Sequence, residues 1–169
     1  GRVGCANVLS DMYALGIVHI DNVLMILASS LEMKDEKVRN QVTSQMIHGF
    51  NDMCVLADTH VTGGQSVLNP WPIIGGVAQS VCATKDFIDP VNGQIGDVLV
   101  LTKPLGTQVA VNVKEWKMKQ QQNWSWLKQH NIITDKSADK AFNIAVGSMI
   151  RLNRNGAILM HKYQAHGNI

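Results

Sequence analysis

The feature that most constrains the fold of this sequence is a long helical pattern that begins after Asp35 and runs to Ala57. Apolar residues recur there every three or four positions, which is typical of a helix with one buried face, and the Asp35 carboxylate can cap its first turn. Apolar segments of strand length lie on both sides of this helix. The first part of the chain is therefore predicted to follow the order helix, strand, helix, strand, strand, with the other elements at residues 3–16, 19–28, 59–68 and 71–82.

A linker signal follows at residues 86–96, where Pro90 and Gly93 accompany further turn-forming residues. We therefore expect a domain boundary in this interval. The prediction assigns residues 1–92 to one domain and residues 93–169 to the start of a second.

The second part of the chain is predicted to open with a strand at residues 97–102, a turn, and a helix at residues 107–118. Residues 119–129 have the composition of a surface excursion that holds a short helix. A final helix is predicted to end at Asn155-Gly156. Its apolar face consists of Ala138, Ala141, Phe142, Ala145, Met149 and Leu152.

Charge and cysteine content exclude several classes of protein. The formal charge of +2 is spread without a basic block, which argues against a nucleic-acid partner. The 3 cysteines stand at long spacings that fit neither a disulfide framework nor a CxxC motif, so a reducing, cytoplasmic setting is the default prediction. No apolar stretch has the length of a membrane span, and because the chain opens on Gly1 rather than Met we expect both of its ends to be cut.

Polar residues on the first predicted helix are the first candidate site. Asn7 and Asp11 lie four positions apart and project from the same face, beside an apolar face that carries Cys5. Mg²⁺ prefers oxygen ligands and commonly uses one or two carboxylates plus substrate phosphates, which suits Asp11. The alternative is a solvated or capping carboxylate. Cys5 is predicted to be a buried core thiol rather than a nucleophile.

A glycine pair at the end of a predicted strand is the second candidate site. Gly63 and Gly64 allow the backbone to approach a phosphate closely, and neighbouring N–H groups can form an anion-binding nest. Gln65 and Ser66 add hydrogen-bonding groups. A β-bulge or a turn is the alternative interpretation of the same glycines.

Three segments of the sequence together resemble the selenophosphate synthetases, most closely the eukaryotic branch. They comprise residues 5–14, residues 61–71 and residues 96–110, and a weaker match continues from residue 151 towards the C-terminus. The resemblance implies an α+β fold like that of aminoimidazole ribonucleotide synthetase, with two domains truncated at both ends. It also implies a homodimer in which the first domains build a shared β-barrel, with ATP at the interface.

The resemblance further implies a reaction in which ATP, selenide and water give selenophosphate, orthophosphate and AMP. Mg²⁺ and a monovalent cation such as K⁺ would be required. Asp11 corresponds to a ligand of Mg²⁺ and of the ATP phosphates, and Asn7 belongs to the same nucleotide-site motif. Four residues correspond to a segment that contacts ATP from the partner subunit, namely Gly63, Gly64, Gln65 and Ser66. The family's catalytic Cys or selenocysteine and Lys would precede residue 1, so the chain alone is expected to be inactive.

Two alternatives to this function stay open. The first is a non-catalytic paralogue that acts as a dimeric binding or regulatory protein on the same fold. The second is a superfamily member that acts on a purine precursor or on thiamine phosphate, against which the matches at residues 68–71 and 102–106 argue.

Overall fold

The computed structural model describes residues 1–168, which form two compact units. The first unit comprises Gly1–Val98 together with the residues from Leu152 onward, and the second comprises Leu99–Arg151. The assignment of residues 1–92 and 93–169 to two domains of a whole protein stays a prediction. In chain order the elements are α1 (Arg2–Ala14), β1 (Asn22–Ser30), α2 (Glu36–Leu56), β2 (Val61–Asn69), β3 (Ile73–Gln79), α3 (Thr107–Met118), α4 (Gln122–Gln129), α5 (Asp135–Met149) and α6 (Arg154–Lys162).

The first unit contains a 3-stranded sheet with the strand order β2-β1-β3. β1 and β2 are parallel and are joined through α2, whereas β1 and β3 are antiparallel. The predicted order of the first five elements is confirmed. So is the cap of α2, where the Asp35 side chain accepts hydrogen bonds from the backbone N–H groups of Lys37 and Val38 at 2.8 and 3.3 Å. This mixture of helices with a small sheet is compatible with the predicted α+β class.

The core of the first unit lies where α1 and α2 meet and pack against the sheet. The largest fully buried side chains in it are Tyr13, Phe50, Leu9, Ile20 and Val23. The two helices cross closely because the contact is made of glycines: a Cβ on Gly49 would lie 3.2 Å from the Arg2 backbone nitrogen. Farther along, Gly4 of α1 comes against the side chain of Ile74 on β3. The N-terminal half of α1 is thereby fixed on α2 and β3.

The opposite face of the sheet carries exposed apolar side chains. The register of the three strands places four apolar residues on this face. They are Ile26 (46% exposed), Val67 (49%), Ile73 (45%) and Val77 (47%). We call these four residues the bare face. The alternation of strand side chains puts Gln65 on the same side of the sheet.

The second unit packs α3 against α5, with α4 beside α3. Its small apolar core consists of Val113, Trp124 and Ala138, with Trp116, Leu127 and Ile133 around it. α5 begins with a capping box in which Thr134 and Ser137 exchange hydrogen bonds. The predicted short helix within residues 119–129 is confirmed, but Trp124 is buried, so this segment is part of the core rather than a surface excursion.

Two predicted elements differ from the structure. Residues 97–102 form no strand, because no strand of the described residues runs beside them to complete a hydrogen-bonded ladder, and their apolar side chains are exposed. The last predicted helix ends at Met149 rather than at Asn155-Gly156, and those two residues lie inside α6. Residues 150–153 are not helical, and they separate α5 from α6. α6 packs into the first unit, where Ala157 is buried in the core. No helix within residues 1–168 is long and apolar enough to cross a bilayer.

Candidate functional site

α1 presents a polar face that contains the candidate metal ligand. Cys5, Leu9 and Tyr13 occupy the buried face of this helix, so the 3.6-residue period turns Asn7 and Asp11 outward, where both are exposed. Ser10 lies between them in sequence and is half-buried beside this face. The structure therefore brings Asn7 and Asp11 together as the sequence predicted.

The donor set of this face consists of one carboxylate and one amide, those of Asp11 and Asn7. The Asp11 carboxylate makes no hydrogen bond or ion pair to another side chain in the part of the chain that the structure describes, so it is open to an external cation. No group of three or more His, Cys, Asp or Glu side chains that could hold a metal occurs among residues 1–168. Mg²⁺ commonly binds one or two carboxylates together with substrate phosphates and water, and a single open carboxylate beside an amide satisfies that pattern.

The glycine pair lies on β2, an edge strand of the sheet. The pairing of β1 with β2 passes from Val23 opposite Val61 to Leu24 opposite Gly63, so Thr62 is the extra residue of a bulge. Gly64 has φ +138°, and a Cβ there would run into the Met25 carbonyl oxygen. Gly64 is therefore required by the strand itself, as the alternative interpretation proposed, whereas a Cβ on Gly63 would only touch the Leu24 side chain at an ordinary 3.5 Å.

The side chains next to the glycine pair remain free to contact a ligand. Gln65 and Ser66 are both exposed, and within residues 1–168 neither side chain makes a hydrogen bond. α1 packs on α2, β3 and α6, whereas β2 is separated from β3 by β1. The two predicted parts of the site thus occupy separate elements of one chain.

The thiols near the site are structural. Cys5 and Cys54 are fully buried, with their Sγ atoms 3.5 Å apart, so the prediction of a core thiol at Cys5 is confirmed. The hydrogen bond with Cys54, together with burial, raises the pKa of Cys5. A protonated, enclosed thiol is a poor nucleophile.

Two depressions in the surface are lined by residues other than those of the predicted site. An open groove of about 770 Å³ on α5 is lined by residues that include Lys136, Lys140 and Ile144. A cleft of about 390 Å³ in the first unit includes His19, Cys82 and His161, and the His161 imidazole is already engaged, with Nε2 2.7 Å from the Gly16 carbonyl oxygen. Neither depression contains a residue predicted to bind the nucleotide.

Asn153 is a residue that the sequence analysis missed. It stands just before α6, and its side-chain amide Nδ2 donates to the Ser10 hydroxyl on α1 at 2.9 Å. The signal that could have found it is the weak family match that begins at residue 151. That match gave no reason to place Asn153 against Ser10, since the two are 143 positions apart.

Comparison with known proteins identifies the class first: the relatives of this chain are dikinases. No protein-family model matches the chain. A protein named selenide, water dikinase from Dictyostelium discoideum is 52% identical over 166 residues, which are 98% of this chain and 44% of that protein. Selenide, water dikinase 2 from Homo sapiens is 49% identical over 98% of this chain and 36% of its own length. Selenide, water dikinase from Trypanosoma brucei brucei is 47% identical over 99% of this chain and 42% of its own length.

The particular family follows from these identities. Over nearly its whole length the chain is homologous to the selenide, water dikinases, which are the selenophosphate synthetases, and the resemblance predicted from the three motifs is confirmed. The chain spans between 36% and 44% of the length of these relatives.

Proposed function

We propose that the protein acts as a selenophosphate synthetase, converting ATP, selenide and water to selenophosphate, orthophosphate and AMP. The observation that carries the proposal is the 47–52% identity to selenide, water dikinases over at least 98% of this chain. That interval includes both the Asn7–Asp11 helix and the Gly63–Ser66 strand. The proposed setting is the cytoplasm, with a monovalent cation such as K⁺ as a further requirement.

In this proposal the open face of α1 holds the magnesium form of the nucleotide. Asp11 would bind the metal through its carboxylate, and Asn7, one turn earlier, would orient the phosphates by hydrogen bonding. Bound Mg²⁺ neutralises phosphate charge during phosphoryl transfer. The contribution of the chain itself is positional, because α1 is clamped by its buried face to α2 and β3 and therefore keeps these two polar side chains in fixed directions.

We further propose that two copies of the protein share the site, on an aminoimidazole ribonucleotide synthetase-like fold. The bare face supports this, since its four half-exposed apolar side chains form one side of a sheet that a second copy can cover. Gln65 shares that side of the sheet, so covering it would bring the glycine segment of one copy to the boundary with the other. Within one chain, Asp11 and the Gly63–Ser66 segment lie on separate elements. This is expected if Asp11 of one copy and the glycine segment of the other together form each site.

The test is Asp11→Asn in the full-length protein. We expect selenide-dependent AMP formation to fall by about a hundredfold or more, because an amide replaces the charged oxygen ligand, while the dimer stays folded. Asp58→Asn is the matched control. Asp58 is exposed, and its φ of +60° is one that Asn tolerates, so that variant should keep full activity.

Retained activity in Asp11→Asn would contradict the role assigned to that carboxylate. A wild-type full-length protein that binds magnesium nucleotide as a dimer but forms no AMP would instead support the non-catalytic paralogue.

A further inference from the structure

The C-terminal half of α1, which carries Asp11, is held by α6. Ala157 of α6 lies in the same buried core as Tyr13, and Leu152 packs against that core. The N-terminal half of α1 is fixed by a different set of contacts, with α2 and β3. α6 thus adds contacts to the half of α1 that carries Asp11, beyond those made by α2 and β3.

One polar contact joins these two helices beside the site. Asn153 Nδ2 donates to Ser10 Oγ at 2.9 Å in a part-buried position. Ser10 follows Asn7 by three positions, so those two side chains are neighbours on the helix surface, and Asp11 is the next residue along the chain. The hydrogen bond to Ser10 therefore adds a polar contact to the apolar packing of α1, at the point where the candidate ligands project.

The hydrogen bonding of the Asn153 side chain is unusual for an N-cap residue. Asparagine at an N-cap normally accepts a hydrogen bond from the first turn of its own helix, which contributes about 1 kcal/mol. Asn153 is the N-cap of α6 and makes no such bond, because its side chain reaches to α1 instead. α6 therefore lacks the stabilising N-cap hydrogen bond, and the Asn153 side chain instead contacts α1, the helix that carries Asp11.

We propose that Asn153 is a positioning residue for the magnesium nucleotide: by holding Ser10, it keeps Asp11 and Asn7 in the orientation that binds the metal and the phosphates. This inference rests on the proposed function. Residues that orient a metal ligand typically change metal affinity or activity by about 10-fold to 100-fold when they are removed.

The experiment uses the full-length protein and Mn²⁺ with ADP as the probe. The dissociation constant of Mn²⁺ is measured by electron paramagnetic resonance in the absence of selenide, and the Mg²⁺ concentration for half-maximal AMP formation is measured separately. In Asn153→Ala we expect both to rise by about 10-fold to 100-fold. The turnover at saturating Mg²⁺ should stay close to wild type, a pattern that a general loss of folding would not produce.

Ser10→Ala removes the same hydrogen bond from the other side, and alanine is well tolerated in a helix. It should weaken Mn²⁺ binding to a similar degree, and the double variant should be no weaker than either single variant, because both lose one shared interaction. Asn155→Ala is the matched control. Asn155 is exposed on the same helix, and that variant should bind Mn²⁺ as the wild type does.

Unchanged Mn²⁺ affinity in both Asn153→Ala and Ser10→Ala overturns the inference, as does an additive loss in the double variant. These results are separable from a failure of the proposed function. If Asp11→Asn binds Mn²⁺ and turns over normally, the site itself is misplaced; if Asp11→Asn is inactive while Asn153→Ala is normal, only the role of Asn153 falls.

Discussion

Tyr13 shows how strongly burial acts on a single residue of the site helix. Its side chain is 1% exposed, and in the described residues its hydroxyl has no hydrogen-bond partner. Burial raises the pKa of this hydroxyl to about 12 from the ordinary value of 10.0. Because the unfolded chain loses the proton first, the contribution of Tyr13 to stability is complete below about pH 10 and is lost as the pH rises to about 12.

Tyr13→Phe is therefore expected to flatten the decline in the free energy of unfolding between pH 10 and pH 12. At pH 7 the variant should be as stable as the wild type or more stable by about 1 kcal/mol, since it removes a buried hydroxyl without a partner. Urea unfolding at pH 7 and pH 11 measures both effects. A loss of more than about 1 kcal/mol at pH 7 would show that the hydroxyl has a partner after all.

Residues of the candidate site could be predicted where the helical spacing of apolar residues decides which face of the helix they occupy. The pattern on α1 was sufficient to place Cys5 inside and Asn7 and Asp11 outside, because one buried face fixes the rotation of a helix. Asn153 could not be found in this way. Its contact with Ser10 exists only after the whole first unit has folded, and no local pattern encodes it.

At the scale of the element, β2 depends on a glycine that no other residue replaces. Gly64→Ala is expected to lower the free energy of unfolding by about 1–3 kcal/mol, because φ is +138° and the added Cβ meets the Met25 carbonyl oxygen. Thermal unfolding measures the change. Gly75→Ala on β3 is the control: a Cβ there meets no atom within 4 Å, so its effect should stay within about 0.5 kcal/mol. Equal effects of the two substitutions would refute the argument.

The elements that were predicted wrongly share one physical cause. Residues 97–102 have the apolar composition of a strand, but a strand also needs a neighbour, and neighbours are a property of the fold rather than of the segment. The helix predicted to run to Asn155-Gly156 likewise ends early, because α6 is drawn into another core. Elements with their own caps and long periods, such as α2, were predicted correctly.

At the scale of the whole molecule, the bare face should govern association. Val77→Lys places a charge among the half-exposed apolar side chains and is expected to shift the full-length protein from dimer towards monomer in light scattering. Val55→Lys is the matched control, because Val55 is 67% exposed on α2, away from the sheet. A Val77→Lys protein that remains as dimeric as Val55→Lys would remove the bare face from the proposed interface.

The family was recognisable from three short motifs, because each holds a run of residues whose order is specific. The division of the chain was harder to foresee. Turn-forming residues marked the interval 86–96, but nothing in the sequence indicated that residues after 151 return to the first unit.

That return has a consequence for biosynthesis. The first unit is built from both ends of this chain, so when a ribosome has finished β3 the core around Tyr13 still lacks Ala157. All of the second unit must be translated before α6 can close that core. Contacts between such distant positions form slowly, and the nascent polypeptide exposes unfinished apolar surface in the meantime. The core beneath the helix that carries Asp11 is thus completed only after α6 has been translated, and until then α2 and β3 support that helix without it.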